Sequence, residues 1–120
     1  MKISEIIPKT LEEAVDTLFN SIDEVDIKAI EKEKLTFSSL HHSLGTKIRN
    51  TWGLWGNSRL TKHFKNRFGL GHADDMSGII LEMLDSKYFN KEFDLARKVE
   101  FYHSYWIKQR TDPLTQKPIV

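Results

Sequence analysis

Apolar residues recur three and four positions apart along nearly the whole chain, and nowhere does apolar–polar alternation last long enough to compete as a strand. A chain patterned this way buries its stripes by laying helix against helix, so the expected fold is all-α: a compact bundle of five to six short helices in one domain. Thr10 and Glu13 form a capping-box pattern at the start of a run carrying Leu11, Val15, Leu18 and Phe19, which predicts a first helix over about 11–20. Ser21 and Glu24 repeat the pattern with Ile22, Val25, Ala29 and Ile30, predicting a second helix that turns directly off the first. Phe37, Leu40, Leu44 and Ile48 predict a third over about 36–51, ended by Gly53-Leu54-Trp55-Gly56. Asn57 or Ser58 is placed to cap a fourth helix carrying Leu60, Phe64 and Phe68, closed by Gly69-Leu70-Gly71. Asp74 is placed to cap a fifth with Met76, Ile79, Ile80, Met83 and Leu84, and Leu95, Val99, Tyr102 and Trp106 mark a sixth over about 90–109. Pro113 and Pro118 make 111–120 a C-terminal tail beyond a single helical domain of residues 1–110.

A length of 120 residues supports one hydrophobic core and not two. With 39% hydrophobic and 29% charged residues, the chain belongs with ordinary globular proteins and not with disordered or low-complexity ones. It contains no cysteine, which excludes disulfides, iron–sulfur clusters, thiolate zinc sites and cysteine nucleophiles, and fits a reducing compartment. The opening Met1–Ala14 lacks the apolar core of a signal peptide, and no run approaches the roughly 18 apolar residues that span a bilayer. The expectation is a cytoplasmic protein with no membrane contact, no metal and no cofactor.

The net charge of +1 hides an uneven distribution. Residues 1–35 hold 5 bases and 9 acids, net −4; residues 36–71 hold Lys47, Arg49, Arg59, Lys62, Lys65 and Arg67 without an acid, net +6; residues 72–120 hold 7 bases and 8 acids, net −1. The basic middle third also carries Phe37, Trp52, Trp55, Phe64 and Phe68, a composition that suits a cationic, aromatic surface if some rings stay out of the core.

Three blocks stand out: Pro8-x-Thr10-Leu11-x-Glu13-Ala14-Val15-Asp16; Leu40-His41-x-x-Leu44-Gly45-x-x-Ile48-Arg49-Asn50-x-x-Gly53-Leu54-Trp55-x-Asn57; and His72-x-Asp74-Asp75-x-Ser77-x-Ile79-Ile80. Together they resemble a family of small bacterial proteins classed as a domain of unknown function, over roughly residues 8–86. The resemblance implies no activity. Ala73 stands where the pattern leads one to expect proline, and residues from 87 onward have no counterpart in it.

Several residues could carry chemistry. On a helix, His41, Gly45 and Arg49 form a stripe beside Leu40, Leu44 and Ile48, and a mid-helix glycine signals a close approach, either by another helix or by a ligand. One reading is packing, with Arg49 bridging to an acid such as Asp74, Asp75 or an acidic residue of the first helical hairpin. The other is an anion pocket built from Arg49, His41, Asn50 and the Trp55-Gly56-Asn57 amides. Asp74 as N-cap with Asp75 in the first turn suits helix capping, while His72-Ala73-Asp74-Asp75 also suggests a general base with an orienting carboxylate, and a hydrolytic site forms if His41 and Asp74 or Asp75 converge beside Arg49. Arg59, Lys62, His63, Lys65 and Arg67 on the fourth helix suit phosphate contacts, although a pI near 8.0 is low for a dedicated nucleic-acid binder.

The lead functional expectation is a protein-interaction module of the immunity, antitoxin or adaptor type. Its opposite charge fields would steer a partner, and Tyr105 on the sixth helix is the best exposed anchor. The alternatives are nucleic-acid or phosphate binding through the basic segment 41–67, and a hydrolytic enzyme using His41, Arg49 and Asp74.

Overall fold

The computed structural model describes all 120 residues as six α-helices and one short 3-10 turn, with no strand. Helix α1 spans Leu11–Ser21, α2 Glu24–Glu33, α3 Leu44–Thr51, α4 Arg59–Phe68, α5 Ala73–Phe89 and α6 Leu95–Lys108; the 3-10 turn is Ser38–Leu40. The fold is organised around α5. Most helices here are amphipathic, but α5 buries Ala73, Asp75, Met76, Ser77, Ile79, Ile80, Leu81, Leu84 and Asp85 around most of its circumference. A helix apolar on nearly all sides must lie inside, and α1, α3, α4, α6 and the 3-10 turn all pack on it. Nineteen buried apolar residues form one continuous core, with Trp52, Phe37 and Phe64 its largest side chains.

Local signals set most of the helix ends. Thr10 Oγ1 accepts the Glu13 amide at 3.1 Å, and Ser58 Oγ accepts that of Thr61 at 3.3 Å. At the end of α3 the Leu54 amide donates to the Arg49 carbonyl at 2.9 Å while Gly53 takes φ +62°, a Schellman closure that only a glycine adopts without strain.

Four expected boundaries differ. The second helix is capped by Asp23, in a reciprocal box with Asp26, because Ser21 turns back to donate its hydroxyl to the Thr17 carbonyl at the end of α1. The third helix does not run unbroken from 36. Asp85 draws away the Phe37 and Ser38 amides, and Thr36 and Ser39 exchange hydrogen bonds, so polar side chains outcompete the helical ladder until Leu44. The fifth helix is capped by His72 rather than Asp74: the imidazole Nδ1 accepts the Asp74 amide at 3.0 Å, which starts the helix at Ala73 and frees the Asp74 carboxylate. The sixth begins at Leu95 and not near 90, since Asn90 in the left-handed region (φ +51°) ends α5 and Asp94 caps α6.

Residues 111–120, expected as a tail, close into a hairpin. Thr111 bridges Pro118, the Asp112 carboxylate accepts the Leu114 and Thr115 amides, and Pro113 is buried with its carbonyl accepting the Gly71 amide at 2.9 Å. Those two amides, the Thr115 one foremost, hold the Asp112 carboxyl below the usual aspartate range. No helix is long and apolar enough to cross a membrane.

Candidate functional site

The Gly53 closure has a direct consequence for the neighbouring side chains. Leu54 turns into the core and Trp55, one residue on, is thrown outward to 60% exposure. There the Trp55 ring meets the His72 imidazole edge-on at 5.6 Å; His72 stacks on Trp106 at 5.2 Å and 28°; Trp106 meets Tyr105 edge-on at 5.0 Å. Four rings from three separate segments thus form one row, with Trp55 and Tyr105 exposed at its ends. Two expected binding residues far apart in sequence are brought into one surface.

The middle of the row is anchored from below. His72 is held by its capping bond, and the Trp106 indole N–H donates to the Asp75 carboxylate at 2.7 Å. Asp75 is almost wholly buried, and burial raises its pKa, with the Trp106 hydrogen bond opposing. Tyr102 covers the same side of α5, its hydroxyl placed 2.6 Å from where a Cβ on Gly78 would sit, so Gly78 is the space into which α6 seats. Burial, reinforced by the nearby Asp75 charge, pushes the Tyr102 phenol far above its ordinary pKa, and the ring stays protonated and neutral.

A carboxyl with a raised folded-state pKa binds its proton more tightly folded than unfolded, so its contribution favours folding increasingly as pH falls. Asp75→Asn keeps an acceptor for Trp106 and removes the buried charge. Its unfolding midpoint should exceed wild type by a few degrees at pH 7, and the gap should close as pH approaches 4. A gap independent of pH would show that the Asp75 charge carries no burial penalty.

Arg49 and Asp74 also meet, on the other flank of the first turn of α5. Arg49 Nε lies 3.3 Å from Asp74 Oδ1, Nη1 donates to Ser77 Oγ at 2.8 Å and Nη2 to Thr46 Oγ1 at 3.0 Å. The guanidinium is buried and satisfied within the fold. Gly45 makes room for it, because a Cβ there would stand 2.9 Å from Arg49 Nη1 and 3.5 Å from His41 Nδ1. His41 therefore borders the Arg49 pocket although it precedes α3, but its ring meets His42 edge-on at 5.4 Å and forms no ion pair with Asp74. Asn50 and Asn57 are exposed, and Asp75 points into the Trp106 contact, away from Arg49.

The basic segment is largely engaged in holding the fold. Besides Arg49, Arg59 Nε donates to the Ile7 carbonyl, and Arg67 Nη1 bonds both Glu12 oxygens at 2.6 and 2.8 Å while lying over the Phe68 ring. Burial works to raise the Glu12 pKa, and the Arg67 hydrogen bond and charge outweigh it, for a net lowering. The acidic first helix and the basic fourth thus neutralise each other in part. Lys47, Lys62 and Lys65 form no ion pair. His63 adds no charge at neutral pH, since burial and the nearby Arg67 lower its pKa.

His103 escaped sequence reasoning as a site builder, and Trp106, although of a type common at interfaces, reads from sequence as a core residue. Trp106 sits at core spacing, and nothing local marks it as the cover of a buried carboxylate. His103 Nε2 donates to the Phe68 carbonyl at 2.6 Å and closes α4 across the α6 contact. No curated protein and no solved structure matches this chain. A family model described as a domain of unknown function, DUF6794, matches residues 7–88, which takes in α1 to α4 and all but the last residue of α5, with Trp55 and His72, but leaves out α6 with Trp106 and Tyr105. The chain belongs to the DUF6794 family.

Proposed function

We propose that this protein is a small interaction module of the immunity, antitoxin or adaptor type, working in the bacterial cytosol, and that it grips a partner protein through the row Trp55–His72–Trp106–Tyr105. The observation that carries the reading is the pairing of exposed ring ends with a fixed middle: Trp55 is 60% and Tyr105 47% exposed, while His72 and Trp106 between them are held by hydrogen bonds to α5. Tryptophan and tyrosine dominate interface hot spots, and rings already ordered lose little entropy on binding. Arg49, Arg59 and Arg67 make internal contacts, which leaves phosphate or nucleic-acid binding to a few lysines. A hydrolytic reading has Arg49 and Asp74 together, but the Arg49 guanidinium is taken up by Asp74, Ser77 and Thr46, and His41 beside it makes no ion pair with Asp74.

A photo-reactive residue in place of Trp55 should give one discrete crosslinked protein in cells of the source organism, and the same group in place of the exposed Lys28 on α2 should give none. With that protein purified, Trp55→Ala should weaken binding about 30-fold or more, the loss of about 2 kcal/mol typical of a hot-spot ring, with an unchanged helical spectrum. Unaltered affinity would refute the reading.

A further inference from the structure

We propose that α6 is also a self-association helix, through which two copies of this chain pair antiparallel about a two-fold axis at Phe101. The surface concerned centres on Phe101, away from Trp55, His72 and Trp106, and shares with the aromatic row only its end ring, Tyr105. Leu95, Val99, Tyr102, His103 and Trp106 are half-buried toward α5 and the end of α4, whereas Asp94, Arg97, Phe101, Tyr105 and Lys108 are exposed along another stripe at helical spacing. Phe101 is 58% exposed, a large apolar ring near the midpoint of a 14-residue helix. Helix α6 packs mainly on α5 and touches the end of α4 through His103, and this stripe is left exposed.

The occupant follows from the order of residues along the stripe, which complements itself on reversal. A two-fold interface requires that if residue i faces j, then j faces i. With Phe101 on the axis, each Phe101 faces its equivalent, Arg97 faces Tyr105 of the second copy, and Asp94 faces Lys108 of the second copy. These are an aromatic pair, a cation–π pair and an opposite-charge pair, each occurring twice apart from the axial one. Neither Asp94, Arg97 nor Lys108 has an ion-pair partner within its own chain. A shallow depression bordered by Glu82, Phe93, Asp94, Arg97, Lys98 and Phe101 lies beside Phe101, and the proposed register brings the incoming Tyr105 ring toward it. Antiparallel helices also set opposite dipole ends together. The overlap is about 21 Å of helix and falls short of the roughly 800 Å² per partner of a standard interface, so the dimer is weak and concentration-dependent.

Sedimentation of the full chain should show an apparent mass that rises from 14.0 kDa toward twice that value with concentration. Phe101→Asp should hold the protein at monomer mass throughout, and Lys108→Glu, which sets like charges opposite Asp94, should weaken association several-fold. Because the chain has no cysteine, register can be read by oxidation: Phe101→Cys should give a covalent dimer. Under the same conditions Ser104→Cys should not, its two copies being offset by about 9 Å along the paired axes, beyond disulfide reach. A monomer at every concentration, association that survives Phe101→Asp, or crosslinking of Ser104→Cys as readily as Phe101→Cys would each overturn the proposal. Trp55→Ala should leave self-association unchanged, so failure here and failure of partner binding through the aromatic row are separately visible.

Discussion

Asp85→Ala should lower the unfolding midpoint by about 12–20 °C, the largest effect expected of any single polar residue in the chain. Asp85 is 2% exposed and its carboxylate accepts the Phe37 amide at 2.6 Å, the Ser38 amide at 3.0 Å and the Ser38 hydroxyl at 2.6 Å. Truncation leaves three donors without their acceptor in a mostly buried place. At about 1–3 kcal/mol for each stranded polar group, and with partial relaxation of the segment, the loss is about 3–5 kcal/mol. For a domain of this size each kcal/mol moves the midpoint by about 4 °C. Asp85→Asn decides whether volume or acceptor geometry is responsible. Its amide nitrogen necessarily faces donors on one side, so the variant should recover less than half of the loss. An asparagine variant as stable as wild type would show that the segment 36–40 is held by the packing of Phe37 alone.

Gly71→Ala should release the C-terminal hairpin. A Cβ on Gly71 would lie 1.8 Å from the Leu114 carbonyl oxygen and 2.9 Å from its carbon, and both belong to backbone, which cannot swing aside as a side-chain tip can. The hairpin must lift, the 2.9 Å bond from the Gly71 amide to the Pro113 carbonyl is lost and buried Pro113 meets water. The expected cost is about 2–3 kcal/mol from overpacking and the lost hydrogen bond. The more telling readout is local: proteolysis should remove residues beyond Arg110 well before the helical body is cut, whereas wild type should resist at both places. Equal resistance of the two proteins would mean that the chain accommodates the methyl group by moving elsewhere. A glycine-rich helix terminus is read from sequence as a stop signal, and at position 71 the reason for glycine lies more than forty residues away.

Local physics explains what the sequence determined alone. The 3.6-residue spacing of apolar side chains committed the chain to helices, because each helical face depends only on neighbours within a turn or two. Thr10, Ser58 and Gly69 mark real helix ends for the same reason: a cap is a contact between residues three or four apart. Where expectation and structure part, either a competing local cap won, as at Asp23, His72 and Asp94, or a distant group had taken the backbone. Asp85 interrupts the third helix from 47 residues away, and His72 displaces Asp74 as cap while Arg49 claims the freed carboxylate. The site divides in the same way. Tyr105 was legible as a candidate anchor from residue type and position, Trp55 as a binding residue of the basic segment, and Arg49 as a bridge to an acid such as Asp74 from its place beside the buried stripe. That Trp55 and Tyr105 belong to one row was not legible, since it depends on α6 lying across α5 so that Trp106 covers both His72 and Asp75. Sequence spacing fixes which face of a helix is apolar, but only the crossing of two helices decides which side chains from distant segments touch.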